Sequence, residues 1–102
     1  MKSSKINSEP YVTKIAQVLR VIAHPVRLQV LAVLREQDEL NVSQLSDAIS
    51  LDVQQSLLSH HLVKMRENGI LRCTKKGMYV YYEVVDKKLY NILDCMENCD
   101  II

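Results

Sequence analysis

Two groups of side chains in this sequence have the types and spacing for chemistry. One is the run Gln54, Gln55, Ser56, Leu57, Ser59, His60 and His61; the other is Cys95 and Cys99, four residues apart, with Cys73 further upstream. On a helix, adjacent His60 and His61 diverge by about 100°, so they cannot serve one metal or one nucleophile. Ser59 has no acid partner in register, and catalysis is not expected. What the run offers is hydrogen bonding: Gln54, Gln55, Ser56, Ser59 and His60 are short or planar groups without negative charge, suited to base edges and phosphates. For the two thiols three roles stay open: a thiolate site for a soft metal or metalloid, a disulfide between subunits, or small apolar residues at a helix border. Asp94, Glu97 and Asp100 beside them disfavour the thiolate and so argue against a fast peroxide reaction.

The elements that must position the first group can be read from periodicity. Val42, Leu45 and Ile49 fall on one face of a short helix over 42–49, and Ser50-Leu51-Asp52 makes a turn. The stripe resumes with Val53, Leu57 or Leu58, Leu62 and Met65, and Asn68-Gly69 is a stop signal. Two short helices joined this tightly read as a helix-turn-helix, whose second helix reaches base edges with its N-terminal end. An ordinary amphipathic helix with an uncharged polar face fits the same residues, and some helix-turn-helix proteins never touch DNA.

The next segment favours nucleic acid. Residues 70–74 and the β-branched, aromatic run 79–85 flank Lys75-Lys76-Gly77-Met78, predicting a hairpin with a basic tip, a wing. From Val53 to Val80 there are five cations (Lys64, Arg66, Arg72, Lys75, Lys76) and one anion (Glu67), a net of +4 in a chain of net +1. Such segregation is the electrostatic footprint of a phosphate-binding face, with Lys64, Arg72, Lys75, Lys76 and Gly77 nearest the backbone of a duplex. The rival reading is a winged-helix module whose basic face meets an acidic protein.

Taken together, Ile22-Ala23-His24-Pro25-Val26-Arg27-Leu28-Gln29-Val30-Leu31, Glu39 to Leu45, Gln55 to Leu62, Asn68-Gly69-Ile70-Leu71 and Gly77 to Tyr82 resemble the ArsR/SmtB family of winged-helix repressors over roughly Ile15 to Asn98. The resemblance implies a homodimeric repressor that leaves its operator when an inducer, usually a metal ion, binds, with first and last helices forming the dimer interface. The chain departs from the family at Asp52, usually glycine, and at Gln54, usually serine. It also lacks the family's sensor patterns. Asn41 and Ser43 stand where a thiolate site has cysteines; Asp86, Lys88, Cys99 and Ile102 stand where a zinc site needs an Asp, two His and a Glu or His; and the middle helix has no cysteine. What remains is Cys95 and Cys99, with a thiolate-bound soft metal or metalloid as the expected ligand if they sense.

At 102 residues, 48% hydrophobic and 25% charged, the chain has material for one core. The expected fold is mainly α with a small β-hairpin (α+β): a winged helix-turn-helix of about five helices and a two-stranded wing. Residues 1–10 read as a mobile arm and 11–102 as a single domain. No apolar run approaches membrane-spanning length and no signal region is seen, so a cytoplasmic location is expected, with reduced thiols. A helix opening at Pro25 should bury Leu28, Leu31 and Leu34 or Val33 as scaffold, with His24 as a cap or surface residue. The first helix, about 11–23, carries Ile15, Val18, Leu19 and Ile22; the last, about 87–98, carries Leu89, Ile92, Leu93 and Met96. A core this small cannot readily cover both stripes, so a second copy is expected to bury them; the alternative is closure on the monomer's own core.

Overall fold

The structure, a computed structural model, describes residues 4–102. Of the arm expected over 1–10, residues 1–3 lie outside the described residues, and Lys5–Asn7 form a short 3-10 turn. Helix α1 (Tyr11–Ile22) and helix α2 (Pro25–Gln37) then meet at 92°. The corner follows from Pro25: the residue before a proline is pushed out of the helical region. His24 accordingly has φ −150° and ψ 134°, and its Nδ1 accepts the N–H of Val26 at 3.1 Å as the N-cap of α2. Among the described residues no single helix is long and apolar enough to cross a membrane.

Helix α2 is the scaffold, burying Val26, Val30, Leu31 and Leu34. Leu28, expected in that face, is instead 37% exposed. It lies about 200° around the helix from both Val26 and Val30, which puts it on the opposite side. After α2 come the strand β1 (Leu40–Asn41), helix α3 (Val42–Ala48) and helix α4 (Gln55–Glu67). Strands β2 (Leu71–Lys76) and β3 (Tyr79–Val84) form the hairpin, with Cys73 facing Tyr82 and Lys76 facing Tyr79. Gly77 has φ 63°, and an added Cβ there would meet no atom within 4 Å, so glycine is needed for the backbone turn and not for space.

The sheet has three strands, in the order β1-β3-β2, where the sequence suggested two. Leu40 and Asn41 pair with Tyr82 and Tyr81. Two residues carry no readable alternation, and their pairing exists only once the hairpin folds back. Asn41 is also the N-cap of α3: its Oδ1 accepts the N–H of Gln44 at 2.9 Å, while Gln44 Oε1 accepts the N–H of Asn41 at 2.9 Å. This reciprocal capping box satisfies two orphan donors at the start of a seven-residue helix.

The last helix is shorter than periodicity suggested. A 3-10 turn over Lys87–Leu89 precedes α5 (Tyr90–Glu97), and Asn98 caps its end by donating from Nδ2 to the carbonyl of Asp94. Tyr90 and Leu93 bury into the core, and Arg35 of α2 donates to Asp94 at 2.6 Å and Glu97 at 2.8 Å. The guanidinium holds the Glu97 carboxyl below the usual range, first by that hydrogen bond and then by its charge.

Asn41 is 92% buried while capping α3, at 8% exposure. Asn41→Ala should lower unfolding stability by about 1 kcal/mol, read by urea denaturation at fixed protein concentration, without changing the folded helix content. An unchanged midpoint would mean the capping box does not hold α3.

Candidate nucleic-acid interface

Helix α4 is anchored along one side and free along the other. Leu58, Leu62 and Met65 have no exposed surface, and they seat α4 against α2, α3 and β2. Of the alternatives for the first inward position, Leu58 is buried and Leu57 is half exposed. The helix begins at Gln55, so Gln54 is its N-cap and Val53 lies ahead of it, partly buried against the core. Gln54, Gln55, Ser56, Leu57 and His60 are exposed and Ser59 is half-buried. From Gln54 to His60 no carboxylate interrupts this face. The side chain of the Gln54 cap makes no hydrogen bond to the first backbone N–H groups of α4.

The wing's cations are less free than their count implies. Arg72 pairs with Glu83 at 2.9 Å, Lys76 with Glu39 at 2.5 Å and Lys64 with Glu67 at 3.7 Å. Glu39 and Glu83 lie outside the segment 53–80, so the net +4 read from that segment overstates the local field. The hydrogen bond that the Lys76 ammonium donates to Glu39 raises its pKa and keeps it charged. Lys75 and Arg66 have no acidic partner among the described residues, and Lys75, Lys76 and Gly77 are all exposed. Beside Gly77, Met78 is 92% exposed, so the tip is apolar as well as basic.

Two polar contacts that fix α4 were not foreseen. Gln29 of α2 accepts the N–H groups of Ser50 and Leu51 at 3.0 and 3.1 Å, and its amide donates to Ser50 Oγ. It thereby pins the turn of the helix-turn-helix. Arg27, also on α2, donates from Nη1 to the carbonyl of Val21 in α1 at 2.9 Å and from Nε to Nδ1 of His61 in α4 at 3.1 Å. His61 is 5% exposed, its ring centroid lies 4.3 Å from that of His24, and its Nε2 has no partner. Burial first, then the proximity of His24, Arg27 and His60, lowers the His61 pKa below 6.5. Nothing at the sequence level points to Arg27 and His61, which are 34 positions apart, whereas Asn41 and Gln44 have the capping-box spacing in plain view.

The residues expected at a dimer seam divide. Ile22 and Leu93 are consumed by the monomer's own core. Ile15, Val18, Leu89 and Ile92 are half-buried, while Leu19 and Met96 are 45% and 40% exposed. Ile15, Val18, Leu19, Leu89 and Ile92 line an apolar groove of about 270 Å³ between α1 and α5. Ile92 continues it into a second groove of about 330 Å³ with Leu28, Leu93, Met96 and Ile102.

The cysteines do not share one helix face. Cys95 is exposed on α5, but Cys99 lies past the Asn98 cap and is half-buried, so the angular placement that made them stacked neighbours does not hold. Cys73 is half-buried on β2. Among the described residues no group of three or more His, Cys, Asp or Glu side chains is placed to hold a metal ion.

Comparison with known proteins agrees with this geometry. A family described as a helix-turn-helix domain matches residues 22–74, more than half of the chain. The transcriptional repressor PagR of Bacillus anthracis is 35% identical over 78 residues, covering 76% of each protein. The arsenical resistance operon repressor of Escherichia coli K12 is 37% identical over 68 residues, covering 67% of this chain and 56% of that one. The crystal structure of PagR superposes with a TM-score of 0.72 at 32% identity, covering 83% of this chain and 94% of PagR. HlyU from Vibrio cholerae N16961 superposes with a TM-score of 0.75 at 30% identity, covering 91% of this chain and all of that one, 100%. By its fold and these relatives, the chain belongs to the ArsR-type family of winged helix-turn-helix transcriptional regulators.

Proposed function

We propose that the protein is a homodimeric repressor that recognises an inverted-repeat operator, reading base edges with Gln55, Ser56, Ser59 and His60 and gripping phosphates with Lys64, Arg72, Lys75 and Lys76. The observation that carries this reading is the exposed, carboxylate-free N-terminal half of α4, rigidly seated by Leu58, Leu62 and Met65. A rigid helix carrying planar amides and hydroxyls is what major-groove readout requires. The repressor role rests on the likeness to PagR and the arsenical repressor.

The continuous apolar face from α1 through Ile92 to Met96 supports assembly with a second copy. Leu19 and Met96 stay 45% and 40% exposed in the monomer, and burying them removes apolar surface from water. A two-fold pair would carry two copies of α4, set about 34 Å apart to meet successive major grooves.

Duplexes selected from a random library should converge on an inverted repeat, and anisotropy titrations against KCl should separate the cations. Lys75→Ala should weaken all duplexes and reduce the log–log salt slope by about 0.9 per protomer. Lys76→Ala should change the slope less, because Glu39 already neutralises that ammonium. Full affinity and slope in a Lys75→Ala/Lys76→Ala variant would remove the wing from the interface. Sedimentation should find a dimer at micromolar concentration and a folded monomer with much weaker operator binding for Leu19→Asp, since Leu19 is not needed by the monomer's core. A monomeric wild type would end the dimer reading.

A further inference from the structure

We propose that Arg27 and His61 form a proton-sensitive joint between α1 and the DNA-reading helix α4, so that acidification releases the protein from its operator. The inference rests on the operator-binding reading and adds a regulatory input to it. Arg27 grips both elements, with Nη1 on the Val21 carbonyl at the end of α1 and Nε on His61 Nδ1 in α4; the other side-chain bond between them, from Gln17 of α1 to Asn68 at the end of α4, is exposed. It is a positioning residue, acting on DNA through His61.

The hydrogen bonds dictate the protonation state. Because Nδ1 of His61 accepts from Arg27, the neutral ring carries its proton on Nε2. His24 Nδ1 likewise accepts from Val26, so its proton is on Nε2 too. Neither nitrogen pair is left with a free lone pair facing the cluster, which removes the two imidazoles as a metal site. A second proton on His61 must go to Nδ1, where it meets the Arg27 N–H head on. The contact is lost and two cations are left side by side.

Among the described residues no carboxylate pairs with His61 within 4.0 Å. The charged or titratable groups beside it are Arg27 on α2, His24 at the α1–α2 corner and His60 on its own helix. The Nε2–H is buried without a partner, so the ring has no second anchor once Arg27 lets go. The lowered pKa of His61 agrees with this geometry. The sign follows: the neutral, joined state prevails above pH 6.5, and the joint is lost as pH falls below the ordinary histidine value. His60, a second imidazole on α4, is exposed on the reading face, so the test replaces it and leaves His61 as the one imidazole of that helix.

The test uses a duplex selected at pH 7.5 from a random library, with affinity measured from pH 8 to 5 at constant ionic strength. His60→Gln is the background, and each protein is normalised to its own affinity at pH 7.5. Affinity should fall by up to about tenfold as pH drops through the His61 titration midpoint, a typical coupling between two sites, while circular dichroism stays unchanged. His61→Gln in that background should be flat, because an amide oxygen accepts from Arg27 at any pH. Should that variant not fold, linkage provides the same reading in the folded parent: DNA must lower the His61 titration midpoint, followed by ring NMR, by about one pH unit. A flat or rising parent profile, an equal fall in His61→Gln, a fall that tracks loss of helix signal, or an unmoved midpoint would overturn the joint. Absence of duplex binding by the unsubstituted protein at pH 7.5 would sink the operator reading itself, a separate outcome.

Discussion

The burial of Leu58, Leu62 and Met65 along one side of α4 is the constraint on which the rest of the molecule turns. Each is fully removed from water, and truncation of such a side chain to alanine typically costs about 2–5 kcal/mol, a large part of the stability of a small domain. Helix α4 therefore cannot roll, and its opposite face is held in one orientation. Apolar packing alone tolerates sliding, and hydrogen bonds remove that freedom. Gln29 fixes the turn before the helix and Arg27 fixes its middle, both from α2, whose own inner face of Val30, Leu31 and Leu34 is equally dry.

Electrostatics on the exposed face follow a different logic. Three of the cations nearest the reading helix already have carboxylates beside them: Glu39, Glu67 and Glu83. A phosphate that approaches must displace or outbid those groups, so the pairs lower the attraction. Screening in salt confines what attraction is left to within about 8 Å of the surface. Lys75 and Arg66, which have no acidic partner among the described residues, then contribute more of the local field than their share of the charge count.

The protomer is also asymmetric in how it spends apolar surface. Core formation consumes Ile22 and Leu93 but leaves Leu19 of α1 and Met96 of α5 partly open, and α1 meets α2 at the 92° corner set by His24 and Pro25. The corner bears on both ends of the proposed mechanism: α1 carries Ile15, Val18 and Leu19 of the apolar groove proposed for a second copy, and its C-terminus lies within reach of Arg27, which also holds α4.

Sequence alone was sufficient for features governed by local periodicity. The two helices of the helix-turn-helix, the glycine that turns the wing, the proline that opens α2 and the buried set Leu45, Leu62 and Met65 all follow from spacing of three and four or from one residue's backbone preference, while the choice of Leu58 over Leu57 did not. The polar face from Gln54 to His60 is the complement of that stripe and was legible with it. Tertiary structure alone decided what depends on residues distant in the chain. The third strand exists only where Tyr81 and Tyr82 fold back onto Leu40 and Asn41; Leu28 faces outward because Val26 and Val30 fix the rotation of α2; and Cys99 leaves the helix because Asn98 ends it. The Arg27–His61 contact spans 34 positions, and the carboxylates that neutralise the wing come from Glu39 and Glu83. Periodicity reports which face of an element is apolar, because that is a property of neighbours along the chain. Which hydrogen bond or charge meets that element is set by the packing of others against it, and no local pattern carries that information.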